Sequence, residues 1–104
     1  RNENMDKAEA MSKKSLEKDP QNASYLDTYG WILYQRGKYE DAAKYIIHSL
    51  DIESNNAEVN EHYGDVQYKL GNIDKAVEYW KKAKQYGSNS PDLDKKIQNQ
   101  KIVE

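Results

Sequence analysis

Residues 29–39 read YGWILYQRGKY. Rings and aliphatic side chains give the stretch the composition of a buried helix, yet Gly30 stands inside it. Glycine in a helix interior costs about 1 kcal/mol relative to alanine. A chain keeps that cost where a side chain would not fit, and such a place should leave a trace elsewhere. It does: at an offset of 34 residues, nine of 34 pairs are identical. Ala23 falls on Ala57, Tyr29 on Tyr63, Gly30 on Gly64, Tyr34 on Tyr68 and Gly37 on Gly71. Ala42 falls on Ala76, Tyr45 on Tyr79, and Ser54-Asn55 on Ser88-Asn89. Four of the five glycines fall in these pairs, so the repeat is structural and not compositional.

The offset extends both ways. Ala8 lies one period before Ala42, and Asn22, Asn56 and Ser90 follow one another at the same spacing. Each of the latter three can cap a helix by accepting a bond from an amide of its first turn. Pro91 suits the first helical position. The spacing therefore predicts helices starting near 23, 57 and 91, with Gly37 and Gly71 as left-handed stops. Second helices should follow over about 40–53 and 74–86, and an unpaired one over about 5–18, before Asp19-Pro20.

Period and residues together resemble the tetratricopeptide repeat family, whose units place small residues where two helices cross. The matching residues are Gly30, Gly37, Tyr39, Ala42 and Ser49, then Gly64, Gly71, Ala76, Trp80 and Ala83. Ala8, Ser15, Leu16 and Pro20 fit the second helix of an earlier repeat. The resemblance implies an all-α fold, an α-α superhelix or solenoid. Its parts would be half a repeat (5–20), two full repeats (23–56 and 57–90) and a capping helix (91–104). Leu26 and Asn60 stand where the family usually has Trp, and Gln67 where it prefers a ring, which predicts looser packing in the second full repeat. The stretch GDVQYKLGNIDKAVEYWKKA (64–83) also looks like the last repeats of large bacterial proteins of this family. Gly30 against Ala42, and Gly64 against Ala76, would let paired helices approach closely, so that dispersion and burial offset the propensity loss.

A chain of 104 residues is about one domain long. Sixteen basic against 18 acidic residues give a net charge of −2, which argues against nucleic acid as a partner. The pairs Lys13-Lys14, Lys81-Lys82 and Lys95-Lys96 read as solvated helix faces. There is no cysteine, hence no disulfide and no thiolate chemistry. No apolar run approaches the ~20 residues of a membrane span. The start, RNENMDKAEA, has neither an initiator Met nor a signal-peptide pattern, which predicts a piece of a longer protein and leaves the compartment open.

Catalytic chemistry is not expected. The glycines follow no strand, as a phosphate or dinucleotide loop would require. His48 and His62 have no metal-ligand spacing, and no serine stands in a nucleophile motif. We read no catalytic site, no metal and no cofactor.

By the resemblance, first helices line the concave side of the solenoid, where peptides are held. Carried over by residue, that face holds Asp27, Thr28, Trp31, Tyr34 and Gln35, then Glu61, His62, Asp65, Tyr68 and Lys69, and finally Lys95, Lys96 and Asn99. The sets 27, 31, 34 and 61, 65, 68 share one helical face each. Partner-binding candidates are Asp27, Trp31, Tyr34, Glu61, Asp65 and Tyr68. Members of the family that clamp a C-terminal carboxylate use Lys and Asn at such places. Acids and rings here predict no such clamp and suit a basic or mixed peptide, with Trp31, Tyr34 and Tyr68 as anchors. Trp31 and the tyrosines could instead pack between repeats, while Tyr29, Tyr45, Tyr63 and Tyr79 are expected in the core.

Leu93, Ile97 and Ile102 give the last helix one apolar side, as a cap needs. Around Ala8, Met11 and Leu16 the unpaired first helix should expose apolar surface, which makes self-association of the chain plausible. The leading reading is a non-enzymatic protein- or peptide-binding module. Alternatives are the structural end of a longer solenoid and an accessory domain of an enzyme.

Overall fold

The computed structural model describes residues 2–102, among which there are six helices and no strand. They are α1 (Asn2–Lys18), α2 (Ala23–Gln35), α3 (Tyr39–Ile52), α4 (Ala57–Lys69), α5 (Ile73–Gln85) and α6 (Leu93–Asn99). Two compact units divide them. The first, up to Glu53, holds α1–α3, and the second, from Ser54, holds α4–α6. No described helix is long and apolar enough to cross a membrane.

The caps set the boundaries. Asn22 and Asn56 are extended, and their side-chain oxygens accept from the amides of Tyr25 and Val59, each at 3.0 Å. At the other end Gly37 and Gly71 adopt φ of 81° and 88°, a conformation that side chains resist. The amides of Lys38 and Asn72 then reach back 2.9 Å to the carbonyls of Leu33 and Gln67, closing the last turn.

The third start lies later than the spacing predicts. α6 begins at Leu93, whose amide donates to the Ser90 carbonyl at 3.3 Å across a turn through Pro91 and Asp92. Ser90 is engaged elsewhere: its amide donates to Ser88 Oγ at 3.2 Å and its hydroxyl turns to Glu61. The helix ends at Asn99, with Gln100 left-handed at φ 55°, so the cap expected over 91–104 is shorter. Residues 103–104 of that expectation lie outside the described residues.

In the first unit α2 packs on α3 and on α1; in the second α4 packs on α5, and α5 on α6. The glycines explain how closely the pairs approach. A Cβ on Gly30 would lie 2.5 Å from Ile46 Cγ1 and 3.2 Å from the Ala42 carbonyl. On Gly64 it would run into the Trp80 indole and stand 3.0 Å from the Ala76 carbonyl. The alanines are thus where the sequence placed them, but the side chain that needs the room is the next one along the helix face, Ile46 or Trp80. The paired tyrosines brace both crossings edge-on, Tyr29 on Tyr45 at 4.8 Å and Tyr63 on Tyr79 at 4.6 Å between centroids. Burial, and then the neighbouring Tyr45, pushes the Tyr29 phenol above its ordinary pKa, so it stays neutral.

Asn60 and Gln67, the departures in the second full repeat, are buried with partners. Asn60 Nδ2 donates to the carbonyls of Ser54 (3.1 Å) and Asn56 (2.8 Å), and Gln67 Oε1 accepts from Asn72 Nδ2 at 2.8 Å. Each fastens a loop end to its helix, work that the Leu26 and Leu33 side chains at the same places of the first full repeat cannot do.

Gly64→Ala is expected to lower stability by about 2 kcal/mol. Overpacking a core costs up to ~3 kcal/mol, and the gain in helix propensity returns ~1. Urea unfolding measures it; a stabilised variant would mean that the indole is not held against this backbone.

Candidate functional site

The sequence-predicted residues fall into two triads, one in each unit. Asp27, Trp31 and Tyr34 lie on α2, all partly exposed. The spacing of three puts the Trp31 ring flat on Tyr34, with centroids 4.5 Å apart and planes 10° from parallel. Tyr39, the first residue of α3, adds a third ring 5.4 Å from Tyr34, tilted by 59°. The result is a shelf of three rings at the α2–α3 turn, with Asp27 one turn before Trp31. Tyr and Trp ordered by their neighbours can contact a ligand at little entropic cost.

The α4 triad is in different surroundings. Glu61 and Asp65 are buried, and Lys96 of α6 lies between them. Lys96 Nζ donates to Glu61 Oε2 at 2.9 Å and to the two oxygens of Asp65 at 3.0 and 3.2 Å. Trp80 Nε1 donates to Asp65 Oδ1 at 2.9 Å, and Ser88 Oγ to Glu61 Oε1 at 3.1 Å. Tyr68 packs on the cluster of Ala76, Trp80, Ala83 and Leu93, its ring 6.1 Å from the indole.

Burial opposes charge on all three ions, and the outcome differs by position. For Glu61 the penalty is outweighed by the bond and charge of Lys96 and the hydroxyls of Ser90 and Ser88, which hold its pKa below the usual range. For Asp65 burial prevails over Lys96 and Trp80, and the pKa is raised. For Lys96 burial is overcome by Asp65 and Glu61, which raise the pKa above that of a free lysine. Lys96 was expected on the ligand face with Lys95 and Asn99; it points instead into this cluster, while Lys95 and Asn99 are exposed. The missed signal was the sequence itself: two acids one turn apart, followed by a lysine on a helix with an apolar side.

His48 bonds Gln21 at 3.3 Å and His62 lies 3.9 Å from Glu58. Among the described residues no three His, Cys, Asp or Glu side chains could share a metal ion.

This architecture defines a tetratricopeptide-type helical repeat protein. Residues 1–90 match the family described as Anaphase-promoting complex, cyclosome, subunit 3, and the chain belongs to that family. Such repeats are generally protein-interaction scaffolds. Among solved structures, the first repeat domain of Spaghetti bound to an HSP90 peptide is similar with a TM-score of 0.88 at 12% identity, over 95% of this chain and 79% of that one. The Sgt2 repeat domain from Aspergillus fumigatus gives 0.86 at 17% identity, over 95% and 67%. PcrH in complex with the chaperone-binding region of PopD gives 0.76 at 18%, over 95% and 74%. No curated protein matches the chain in sequence.

Proposed function

We propose that the chain is a non-catalytic module that binds a protein or peptide through its first-helix face, the concave face of the family, with Asp27, Trp31 and Tyr34 as the principal contacts. The ring shelf carries this reading. Two large rings stacked in parallel and partly exposed offer apolar area already ordered, which is what interaction hot spots use. Peptide or protein-segment complexes of Spaghetti and PcrH support the general activity. Asp27 beside the rings favours a basic or mixed segment over a terminal carboxylate. Glu61, Asp65 and Tyr68 are the corresponding residues of α4 in the second unit.

For the second unit a specific observation favours the structural alternative. Lys96 already occupies the place that a basic ligand group would take between Glu61 and Asp65. There α6 acts as a cap over Trp80.

The test is the double variant Trp31→Ala/Tyr34→Ala. Partner capture from lysate by the intact protein should fall at least about 30-fold with helicity and melting unchanged. Retained capture would defeat the proposal, and a collapsed melting transition would assign the rings to packing.

A further inference from the structure

Trp31 and Tyr34 are three residues apart on α2, a rise of about 4.5 Å along the helix axis. Their centroids are 4.5 Å apart and their planes 10° from parallel, so the rings lie across the axis like stacked plates. Tyr34 turns its other side to Tyr39, 5.4 Å away and tilted by 59°. A ligand therefore extends the stack at the Trp31 end, whose outer face looks toward the start of α2. Asp27 stands on that side, one turn earlier, a step of about 6 Å along the axis. A flat group in van der Waals contact with the indole, at about 3.5–4 Å, fits within that step and brings its edge to the carboxylate.

Charge selects among flat groups. Glu40 and Asp41 follow Tyr39 in the first turn of α3, while Arg36 and Lys38 lie just before it and Lys44 one turn on. Each of these bases is already answered: Arg36 by Asp6 and Glu9, Lys38 by Glu9 at 3.5 Å, and Lys44 by Asp41 at 3.9 Å. Glu40 is exposed and forms no ion pair with another described residue, so acids outnumber bases around the rings of the first unit. Asp27 and Trp31 keep contacts within the chain. Both are partly exposed, and a carboxylate has about four acceptor positions, so Asp27 can take a further donor.

Given that the ring shelf is the contact surface, as proposed above, we infer that it docks an arginine side chain of the partner segment. The guanidinium lies flat on Trp31 and its N–H groups donate to Asp27. A guanidinium is planar and weakly hydrated, and it stacks on an aromatic face while its edge donates to a carboxylate. The lysine ammonium is compact and strongly hydrated, and has no face to stack.

The experiment titrates the full chain, watched by NMR, with short capped peptides that differ only at one central residue. That residue is arginine, lysine, glutamate or citrulline, the uncharged planar analogue of arginine. The chain has two tryptophans, so the Trp31 Nε1–H signal is assigned by comparison with Trp31→Phe. The arginine peptide should shift that signal and the amides around Asp27. It should bind about fivefold or more tightly than the lysine peptide, and about tenfold or more tightly than the citrulline peptide. Asp27→Asn, with its melting curve unchanged, should cut the preference for arginine over citrulline by about threefold or more. Lysine or citrulline binding as tightly as arginine, a preference untouched by Asp27→Asn, or no shift of Trp31 by the arginine peptide would overturn the inference. Peptides that shift Trp31 without favouring arginine would leave the shelf as a contact surface and remove only arginine as its ligand. Loss of the shelf itself is read separately, from partner capture by Trp31→Ala/Tyr34→Ala.

Discussion

Trp80→Ala should lower the free energy of unfolding by about 3–5 kcal/mol, the range for emptying a large aromatic site. In a chain of this size that is a large share of the ~5–15 kcal/mol available, and the melting temperature should fall by about 15–25 °C. Three observations place the effect in the upper part of the range. The indole is fully buried, it fills the space that Gly64 leaves open, and it is packed by Ala76, Ala83 and Leu93. Collapse around an alanine would need α4, α5 and α6 to shift together, so most of the cavity should persist. Trp80→Phe separates the two roles of the ring. It keeps much of the packing but removes the donor to Asp65, and a loss of about 1.5–3 kcal/mol is expected for a bond to a charged group. Denaturation followed by circular dichroism measures both. A loss below ~1 kcal/mol for the alanine variant would show that this ring does not hold the second unit together.

How Trp80 came to matter shows what was legible. Periodicity of small residues gave the helix pairs, because a glycine in a helix has few reasons to recur at a fixed offset except close packing. Caps at Asn22 and Asn56 and stops at Gly37 and Gly71 were readable for the same kind of reason: each is a local device whose chemistry is complete within a few residues. What escaped was not local. The repeat offset aligns Ile46 with Trp80 and Trp31 with Asp65, so the second full repeat has exchanged an aliphatic residue and a partly exposed ring for a buried ring and a buried acid. A buried indole needs an acceptor and a buried acid needs a cation. Those needs are met across 15 and 31 residues, by Asp65 and by Lys96. A one-dimensional pattern grouped Glu61, Asp65 and Lys96, but could not say that they meet one another. Ser90 is the same lesson at smaller scale, an apt N-cap by type whose hydroxyl is drawn to Glu61 instead.

Lys96→Met tests that cluster most directly, and we expect it to cost about 3–5 kcal/mol, because two buried carboxylates lose their cation while keeping their burial. Replacing all three ions, Glu61→Met/Asp65→Leu/Lys96→Met, should recover most of the loss, since apolar residues of similar size often match a buried ion cluster in stability. The pH dependence supplies an independent check. The pKa of Lys96 is raised in the fold, so its contribution is complete below the ordinary lysine value of about 10.4 and is lost as pH rises through the folded value. The stability gap between wild type and Lys96→Met should therefore shrink as pH rises above about 10, with tyrosine ionisation cancelling in the difference. On the acid side the two partners oppose each other. Glu61, with its pKa lowered, contributes stability above its ordinary value that is lost as pH falls through the folded one. Asp65, with its pKa raised by burial, favours its protonated form in the fold, so its contribution is lost as pH rises through the folded value. The alkaline limb is thus the one to measure, by urea midpoints of both proteins between pH 8 and 12. A gap that stays open beyond the lysine titration would mean that the methionine variant fails through packing, and that α6 is held by Leu93 and Ile97 without help from the charge at Lys96.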